Sequence, residues 1–385
     1  MSGPAAGTAH AAATTDVVCL GESMVTFLPS QPGRLADVPS FGRGIGGAES
    51  NVACALAAAG HRAAWVGRVG ADGFGDHLVE TIAGYGVDTS AVRRDPDRPT
   101  GIYFRTATDR GTEAHEVAYY RAGSAASAMS PANVPYEELF AGRILHLSGI
   151  TAALSADCLA LLRELTAPRP GRPLVSFDVN HRPRLWRDGD AGVLLELASR
   201  CDLVFVGEDE AEEAWGIVGA EAIRAALPEP SVVVVKRGSA GATVFASGLR
   251  PGPRSSNAGG ADIGSRPTHV GGAEAGERAA QAADRDTVTV VPALRVDVVA
   301  AVGAGDAFAA GFLSATLRGL PVRDRVRHGH LMAAAVLTVP GDLTEPPARD
   351  HADRLVALDD GAWGRLRLGP GWTAADRAHE EVRTP

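Results

Sequence analysis

The chain has 385 residues, of which 45% are hydrophobic and 22% are charged, and these proportions are typical of a globular enzyme. The net charge of -9 and the lack of a basic stripe interleaved with aromatic residues argue against a nucleic-acid-binding surface. No apolar run approaches the roughly 18 residues that a membrane span needs, so we expect a cytoplasmic protein with no membrane partner.

Both ends of the chain are expected to lie outside the folded domain. Residues 1–15, MSGPAAGTAHAAATT, lack the positive start and leucine-rich centre of a signal peptide, and we interpret them as a disordered tail. Residues 371–385 are polar and are expected to form a loose tail. The folded domain is therefore predicted over residues 16–370.

The cysteines are scattered through apolar segments with no CxxC spacing. This pattern predicts buried, reduced thiols rather than disulfides or a metal site. The residues concerned are Cys19, Cys54, Cys158 and Cys201.

The first part of the chain follows a βαβ rhythm. DVVCLGESMVTFLP (16–29) begins as a buried strand and then becomes polar. A glycine pair precedes an alanine-rich helix predicted at about 51–59, Gly60 ends that helix, and AAWVGRV is the next strand. Two alternating runs, GIYFRTAT and HEVAYYR, then flank a polar turn around DRGTE and predict a hairpin.

From residue 143 onward strands and helices alternate regularly, which predicts a parallel, doubly wound sheet. The strands are RILHLSGI, PLVSFDVN, DLVFVGE and SVVVVKRG. Residues 248–286 are rich in Gly, Ala, Ser and Pro with almost no bulky apolar residues, so we expect a disordered insertion. The pattern resumes with the strand TVTVVPAL and helices at about 306–318 and 325–338.

Polar residues follow the carboxyl ends of these strands, where doubly wound sheets bind ligands. They are Glu22, Gly46, Gly47, Asn180, Arg182, Glu210, Lys236 and Asp306. This set of charged and polar residues suits the binding of a phosphorylated nucleotide and a small polar substrate. The alternative is that these residues have no binding role, because strand ends are generally polar. Lys236 is the single lysine among 37 basic residues, which reflects either the arginine-rich usage of the chain or a compact phosphate contact.

The segment VGAGDAFAAG (302–311) allows two interpretations. A glycine turn at a helix N-terminus directs N–H groups toward an anion, and a carboxylate on the first helical turn can accept the proton of an attacking hydroxyl. Alternatively, Asp306 is an acidic residue that favours a helix N-terminus for structural reasons alone. The segment has neither the GxxxxGK[ST] nor the GxGxxG spacing, and by itself it does not decide between a base and a cap.

Two glycine motifs, GGAESNVACALAAAG followed by GRVGADGFG and, late in the chain, VGAGDAFAAGF, resemble the signatures of the ribokinase (PfkB) family of carbohydrate kinases. Further segments are similar to the 2-keto-3-deoxygluconate kinases of that family over about 16–350, apart from the insertion: PTGIYFR, AYYRAGSAAS, ILHLSGITAALS, SFDVNHRPRLW and VVVKRGSAGA. The resemblance implies a ribokinase-like α/β fold, a doubly wound and mostly parallel sheet with flanking helices. It also implies a small β-sheet lid formed by strands near 22–45 and 100–121.

The resemblance also implies roles for individual residues. Asp306 would be the base that deprotonates the terminal hydroxyl of a sugar acid, and the anion hole would be Gly303, Ala304 and Gly305. The substrate hydroxyls would be held by Gly46, Gly47 and Asn51. The keto-acid end would be received by Tyr103, Tyr119, Arg121 and Arg182. Arginine forks and phenol donors suit a carboxylate on general grounds, although packing within the hairpin is an alternative role for the tyrosines.

On the nucleotide side, the resemblance assigns the phosphate and ribose contacts of ATP to Asn180, Lys236, Gly238 and Gly241. His330 would lie beside the adenine, and Glu210 would be the acid of an NxxE motif associated with Mg²⁺. Two positions depart from the family pattern. Gly207 replaces the asparagine of NxxE, and Ala300 replaces an acid of the loop associated with monovalent cations, which argues against potassium dependence.

These observations predict an ATP-dependent kinase that phosphorylates 2-keto-3-deoxygluconate at its 6-hydroxyl. The alternatives are another sugar kinase of the family, such as a fructokinase, and a non-catalytic regulator that binds sugar or nucleotide. Arg121 and Arg182 favour an acidic substrate, and the retained Asp306 favours catalysis. Exposed sheet edges in the lid lead us to expect a homo-oligomer, at least a dimer.

Overall fold

The computed structural model of the chain describes residues 15–106, 116–186, 190–247 and 286–374. The strands of the first half are β1 (Val17–Leu20), β2 (Met24–Pro29), β3 (Phe41–Gly46), β4 (Ala63–Val66), β5 (Arg68–Gly70), β6 (Arg93–Asp95), β7 (Ile102–Arg105) and β8 (Val117–Tyr120). Those of the second half are β9 (Ile144–Ser148), β10 (Leu174–Asp178), β11 (Leu203–Gly207), β12 (Val232–Lys236), β13 (Ala242–Ala246), β14 (Thr287–Val291), β15 (Arg295–Val296) and β16 (Arg367–Leu368).

The helices alternate with these strands along most of the chain. The first group is α1 (Ala48–Ala58), α2 (Gly73–Gly84), α3 (Tyr136–Leu139), α4 (Gly149–Ala152), α5 (Ala156–Thr166) and α6 (Gly192–Ser199). The second group is α7 (Glu208–Trp215), α8 (Ala220–Ala226), α9 (Ala304–Leu317), α10 (Val322–Leu337), α11 (Arg349–Val356) and α12 (Asp360–Arg365). No helix in these described ranges combines the length and hydropathy that crossing a membrane requires.

The main sheet has eight strands in the order β14-β13-β12-β11-β10-β9-β1-β4. The six strands from β12 to β4 run parallel, and β13 and β14 extend the sheet antiparallel. The chain moves from β1 to β4 in one direction and returns past β1 to β9 in the other. Such a change of direction opens a crevice beyond the carboxyl ends of the strands. The predicted doubly wound, mostly parallel sheet is therefore confirmed.

The core lies in two layers, one on each face of the main sheet. Along β1, Val17 and Cys19 pack into one layer, while Val18 and Leu20 pack into the other, as the alternation of side chains along a strand requires. Helices α1, α9 and α10 cover the first face, and α5 and α6 cover the second. All four cysteines are buried in these layers as free thiols, as predicted.

A second sheet of four strands, here called the small sheet, has the order β3-β2-β7-β8. Strand β2 pairs antiparallel with β3 and parallel with β7, and β7 pairs antiparallel with β8. Its strands lie at the ranges that the resemblance implies for the lid, and β3 ends one residue later, at Gly46. The polar turn expected between β7 and β8 lies mostly outside the described residues, at 107–115.

Helix α1 begins three residues before its predicted start. The reason is that Glu49 and its neighbours are polar but buried, and a sequence pattern assigns such residues to a turn. Ser148 and Thr151 donate hydrogen bonds to Glu49 Oε1 at 2.7 Å and 2.8 Å, so this carboxyl is accommodated inside the first helical turn. Buried polar groups with such partners are compatible with a helix.

Residues at two predicted boundaries are held by the core. Arg224 donates to both carboxylate oxygens of Asp286, at 2.6 Å and 3.0 Å, at the end of the insertion expected at about 248–286. Trp372 is only 2% exposed and its ring lies 6.0 Å from that of His351, so the loose tail expected from residue 371 begins too early. Residues 1–14, 248–285 and 375–385, where the tails and insertion are expected, lie outside the described residues.

Candidate active site

A cavity of about 350 Å³ lies between the small sheet and the carboxyl ends of the main-sheet strands. Thirteen of the predicted site residues line it: Gly46, Gly47, Asn51, Tyr103, Tyr119, Arg121, Asn180, Arg182, Glu210, Lys236, Gly303, Gly305 and Asp306. A larger cavity of about 750 Å³ lies at the ends of α1 and α2 beside α9 and α10, and it contains none of these residues. We place the chemistry in the smaller cavity, because it holds the convergent charged groups.

The GAGD turn lines the cavity through Gly303, Gly305 and Asp306. Gly303 has φ 79, and a Cβ at this position would lie 2.5 Å from the carbonyl oxygen of Asp342. Only glycine satisfies both conditions, because other residues disfavour this backbone region and would collide with that carbonyl. Helix α9 begins directly after, at Ala304, and Asp306 lies in its first turn.

Asp306 has the environment of a carboxylate whose charge is costly. Asn51 Nδ2 donates a hydrogen bond to Asp306 Oδ2 at 2.9 Å. Burial raises the pKa of Asp306 to about 7, and the negative charge of Asp178 adds to this effect, while Asn51, Arg182 and Lys236 oppose it. A carboxyl group with a pKa near neutrality can accept a proton and release it again under ordinary conditions.

Lys236 approaches the cavity from the end of β12. Its Nζ donates to the two oxygens of Asp178 at 2.9 Å and 3.0 Å, and Glu210 Oε2 lies 4.0 Å away. Burial by itself would lower the pKa of Lys236, but Asp178 and Glu210 raise it above its usual value. The side chain is therefore a fixed positive charge beside the GAGD turn, which suits a phosphate.

Glu210 and Asn180 complete the wall on the nucleotide side. Glu210 Oε2 accepts a hydrogen bond from the Gly207 N–H at 2.7 Å, and Glu210 Oε1 lies 3.6 Å from Arg182 Nη1. Asn180 has φ 42, and its buried Oδ1 accepts no hydrogen bond from the described residues. A non-glycine residue in this conformation is strained, and such strain occurs preferentially at functional sites.

The opposite wall carries the aromatic and arginine side chains of the hairpin. The rings of Tyr103 and Tyr119 lie 5.4 Å apart, and the Arg121 guanidinium lies 5.7 Å from the centre of the Tyr119 ring. Arg121 also pairs with the buried carboxylate of Glu22, which accepts a hydrogen bond from Ser124 Oγ at 2.6 Å. Arg182 is 51% exposed and pairs only loosely with Glu210, so its charge is more available than that of Arg121.

The structure adds residues that sequence reasoning did not assign to the site. Arg105 Nη2 donates to Asp342 Oδ1 at 2.6 Å, and Tyr103 donates its hydroxyl to Asp342 Oδ2 at 3.3 Å. Glu22, which the sequence places among the polar residues after the strands without an individual role, also lines the cavity. The alternation of β7 places Tyr103 and Arg105 on one face and could have identified Arg105, whereas no local pattern marks Asp342.

Four predicted site residues do not line the cavity. Ala304 lies in the GAGD turn between two residues that do, while Gly238 and Gly241 lie in the turn that follows β12. His330 is buried in α10, with its ring 5.2 Å from that of Phe308 and 6.5 Å from that of Trp363. Burial lowers the pKa of His330 to about 4, so this side chain is neutral and packed in the core layer.

Comparisons with known proteins identify the family of the chain. The model of the pfkB family of carbohydrate kinases matches residues 14–254 and 274–349. The chain is 33% identical over 342 residues to a 2-dehydro-3-deoxygluconokinase of Bacillus subtilis, covering 87% of this chain and 93% of that protein. It is 29% identical over 332 residues to a 2-dehydro-3-deoxygalactonokinase of Haloferax volcanii, covering 86% and 93%.

A solved structure shows the same architecture. The 2-dehydro-3-deoxygluconokinase of Thermotoga maritima superposes with a TM-score of 0.68 at 25% identity, over 89% of this chain and 100% of that one. The family model and the Bacillus relative both cover most of the chain, and the residues matched by the family model include both walls of the cavity. The chain belongs to the pfkB family and is a carbohydrate kinase.

Proposed function

We propose that this kinase transfers the γ-phosphoryl group of ATP to the 6-hydroxyl of 2-keto-3-deoxygluconate, which is the same compound as 2-dehydro-3-deoxygluconate. The observation that carries the proposal is that Arg121 and Arg182 line the same cavity as Asp306. The carboxylate at one end of such a substrate would meet these arginines, and the hydroxyl at the other end would meet Asp306. Two relatives named for this activity or for its epimer support the substrate class.

In this mechanism Asp306 accepts the proton of the substrate hydroxyl while the hydroxyl oxygen attacks the γ-phosphorus and ADP departs. Asn51 holds the Asp306 carboxylate through its hydrogen bond and contributes, with Gly46 and Gly47, to binding of the sugar hydroxyls. The backbone N–H groups of residues 303–305, at the start of α9, stabilise the charge that develops on the transferred group. This proposal resolves the two interpretations of GAGD in favour of a base.

The keto-acid end is received by the hairpin wall. Arg182 is the primary partner of the substrate carboxylate, because it is exposed to the cavity and only loosely paired. Arg121, held by Glu22, supplies an oriented donor, and Tyr103 and Tyr119 supply hydroxyl groups. A bidentate guanidinium–carboxylate contact of this kind distinguishes an acid from a neutral sugar.

The nucleotide lies along the opposite wall, with Lys236 and Asn180 toward its phosphates and Gly238 and Gly241 farther out. The ring of His330 is buried. We therefore assign His330 an indirect role on the adenine side, as a residue that packs α10. Mg²⁺ held by the phosphates and water would neutralise phosphate charge. Glu210 and the unpaired Asn180 Oδ1 are oxygen donors on that wall, so the residues present fit a mostly hydrated ion. Ala300 offers no carboxylate for a monovalent cation.

The experiment is an assay of ADP release with 2-keto-3-deoxygluconate and with fructose, applied to the wild type, Arg182→Ala and Arg121→Ala. Loss of a charged hydrogen bond costs about 1.5–3 kcal/mol, so we expect each variant to raise the KM for the acid by roughly 10- to 100-fold. The KM for fructose should change little. Arg163→Ala is the matched control, because it removes a surface arginine that pairs with Glu196 outside the cavity.

The outcomes separate the candidate substrates. Equal effects of the arginine variants on both substrates, or faster turnover of fructose by the wild type, would favour a fructokinase. Parallel assays with 2-keto-3-deoxygalactonate test the epimer. No turnover of any sugar or sugar acid would revive the hypothesis of a binding regulator, which the family membership and the retained Asp306 oppose.

A further inference from the structure

Asp178 is a buried carboxylate behind the cavity, in contact with the lining residue Lys236, and no motif assigns it to the reaction. It is the last residue of β10, and its side chain is 3% exposed. Both of its oxygens accept hydrogen bonds from Lys236 Nζ. Lys236 is the last residue of β12, so its side chain spans the end of β11 to reach Asp178.

The Lys236 ammonium lies against the GAGD turn. A Cβ at Gly305 would be 3.7 Å from Nζ, which places the charge next to the backbone that precedes Asp306. A lysine side chain has several rotatable bonds and a compact charge, so a small rotation from this position carries Nζ toward a phosphate in the cavity. Asp178 thus holds the lysine within reach of the transferred group.

The charged and titratable groups around Lys236 come from every element packed against it. They are Asp178 of β10, Glu210 of α7, Asp306 of α9, Arg182 of the segment after β10 and His146 of β9. Burial lowers the pKa of His146 to about 3, so this residue is neutral at physiological pH. The remaining groups are three carboxylates and one cation, Arg182, and Asp178 is the carboxylate that contacts Lys236 directly.

We propose that Asp178 is a positioning residue of the phosphoryl-transfer site, which holds Lys236 Nζ beside the GAGD turn until nucleotide binds and releases it toward the transferred phosphoryl group. Asp178 also places a second negative charge near Asp306. This inference rests on the proposed phosphoryl transfer at Asp306. A purely structural ion pair would instead keep its geometry whether or not nucleotide is present.

Two measurable consequences follow from the geometry. Without the Asp178 carboxylate, Lys236 Nζ loses the two hydrogen bonds, of 2.9 Å and 3.0 Å, that hold it beside the GAGD turn. The amine is then freer to meet a reagent in the cavity, and it is no longer positioned for the transferred phosphoryl group. The variant Asp178→Asn preserves the shape of the side chain and removes only the charge.

The first experiment uses the fact that Lys236 is the only lysine of the chain. Acetylation with an amine-selective reagent at pH 8 is followed by mass spectrometry of the peptide that contains Lys236. We expect acetylation to be about tenfold faster in Asp178→Asn, the factor that the loss of one charge-assisted hydrogen bond typically gives. In the wild type, ATP should slow the reaction several-fold. An unchanged rate in the variant, or no protection by ATP, contradicts the proposal. The ATP measurement uses only the wild type, so it does not depend on whether the variant folds.

The second experiment separates kcat from the KM for ATP. We expect kcat of Asp178→Asn to fall by about tenfold or more while the KM for ATP changes less, because the lysine is misplaced but still present. The matched control is Asp202→Asn, which neutralises an ion-paired aspartate that precedes β11, at the amino ends of the main-sheet strands. The control should change neither kcat nor the acetylation rate, and an equal effect in both variants overturns the proposal.

The acetylation measurements do not depend on which sugar is phosphorylated. If ATP protects Lys236 and Asp178→Asn accelerates its acetylation while 2-keto-3-deoxygluconate is not turned over, the proposed substrate is wrong and the role of Asp178 stands. If that substrate is turned over normally by Asp178→Asn and acetylation is unchanged, the role of Asp178 is wrong and the proposed function stands.

Discussion

The raised pKa of Asp306 suits a general base, and it also lowers the stability of the folded protein when the carboxylate is charged. Its folded-state pKa of about 7 lies above the usual value of 3.8, chiefly because of burial. Near neutral pH the group is divided between a protonated form and a carboxylate that can act as a base. The same perturbation means that the charged form is less stable in the folded protein than in the unfolded chain.

This perturbation predicts the pH dependence of the reaction. Because the base must be unprotonated, we expect kcat/KM to rise through pH 7 and to fall about tenfold for each pH unit below it. Asp306→Asn should reduce kcat by at least about 100-fold at every pH, the scale of a general base. Initial rates between pH 5 and 9 test both statements, and substantial turnover by the variant would refute the assignment of the base.

The sign of the stability effect is the opposite of that for an ion-paired aspartate. Since the folded-state pKa is raised, the contribution of Asp306 to stability is largest below pH 3.8 and is lost as the pH rises toward 7. We therefore expect Asp306→Asn to have a higher Tm than the wild type at pH 8, with the difference shrinking toward pH 4. Thermal unfolding across this range is the measurement, and a difference independent of pH contradicts the raised pKa.

At the scale of elements, strand β7 connects the small sheet to the GAGD turn. Arg105 and Tyr103 project from β7 to the Asp342 carboxylate, and the Asp342 carbonyl lies against Gly303. The side chains of Arg105 and Asp342 are 4% and 5% exposed. Burial raises the pKa of Asp342, while Arg105 and Tyr103 counteract that effect. One buried ion pair, Arg105–Asp342, therefore links the small sheet to the GAGD turn.

Breaking this pair should destabilise the protein more than removing both charges. A buried charge left without its partner costs about 3–5 kcal/mol, so we expect that loss in the free energy of unfolding for Arg105→Met. The double variant Arg105→Met/Asp342→Asn should recover a large part of it. Urea unfolding of the four proteins in the cycle measures the coupling. The exposed pair Arg163–Glu196 is the control, and its coupling should be below about 1 kcal/mol.

At the scale of the whole molecule, the small sheet has one face toward the cavity and another toward solvent. The outer face carries an aromatic cluster in which the rings of Phe27 and Phe104 stack at 4.7 Å and that of Tyr120 lies 6.0 Å from Phe104. Tyr120 is 65% exposed and lies on β8, an edge strand of the small sheet. Exposed apolar surface on an edge strand favours pairing with another chain.

We therefore expect the protein to be at least a dimer that associates through the small sheet, and Tyr120→Asp to weaken that association. Light scattering coupled to size-exclusion chromatography, over a range of protein concentrations, gives the mass directly. Arg163→Asp is the control for a surface charge elsewhere. A wild type that is monomeric at every concentration, or a variant whose mass does not change, contradicts this prediction.

Local patterns were sufficient to predict much of the fold. The alternation of strands and helices gave the main sheet, and the period-two runs around 100–121 gave β7 and β8, because each pattern is complete within a few residues. Patterns failed where polar residues are buried. The start of α1 was placed too late because Glu49 is accommodated inside a helix, and Trp372 was assigned to a tail because its neighbours are polar.

The same distinction applies to the candidate site. By itself the sequence determined the two glycine motifs, Asp306 at the start of a helix, and the tyrosines and arginines of the hairpin, since these are properties of short segments. Only the tertiary structure decided the partners: Arg105 with Asp342, 237 positions apart, and Lys236 with Asp178, 58 positions apart. The physical reason is that a buried charge takes its partner from whichever segment packing brings beside it, and no local periodicity records that choice.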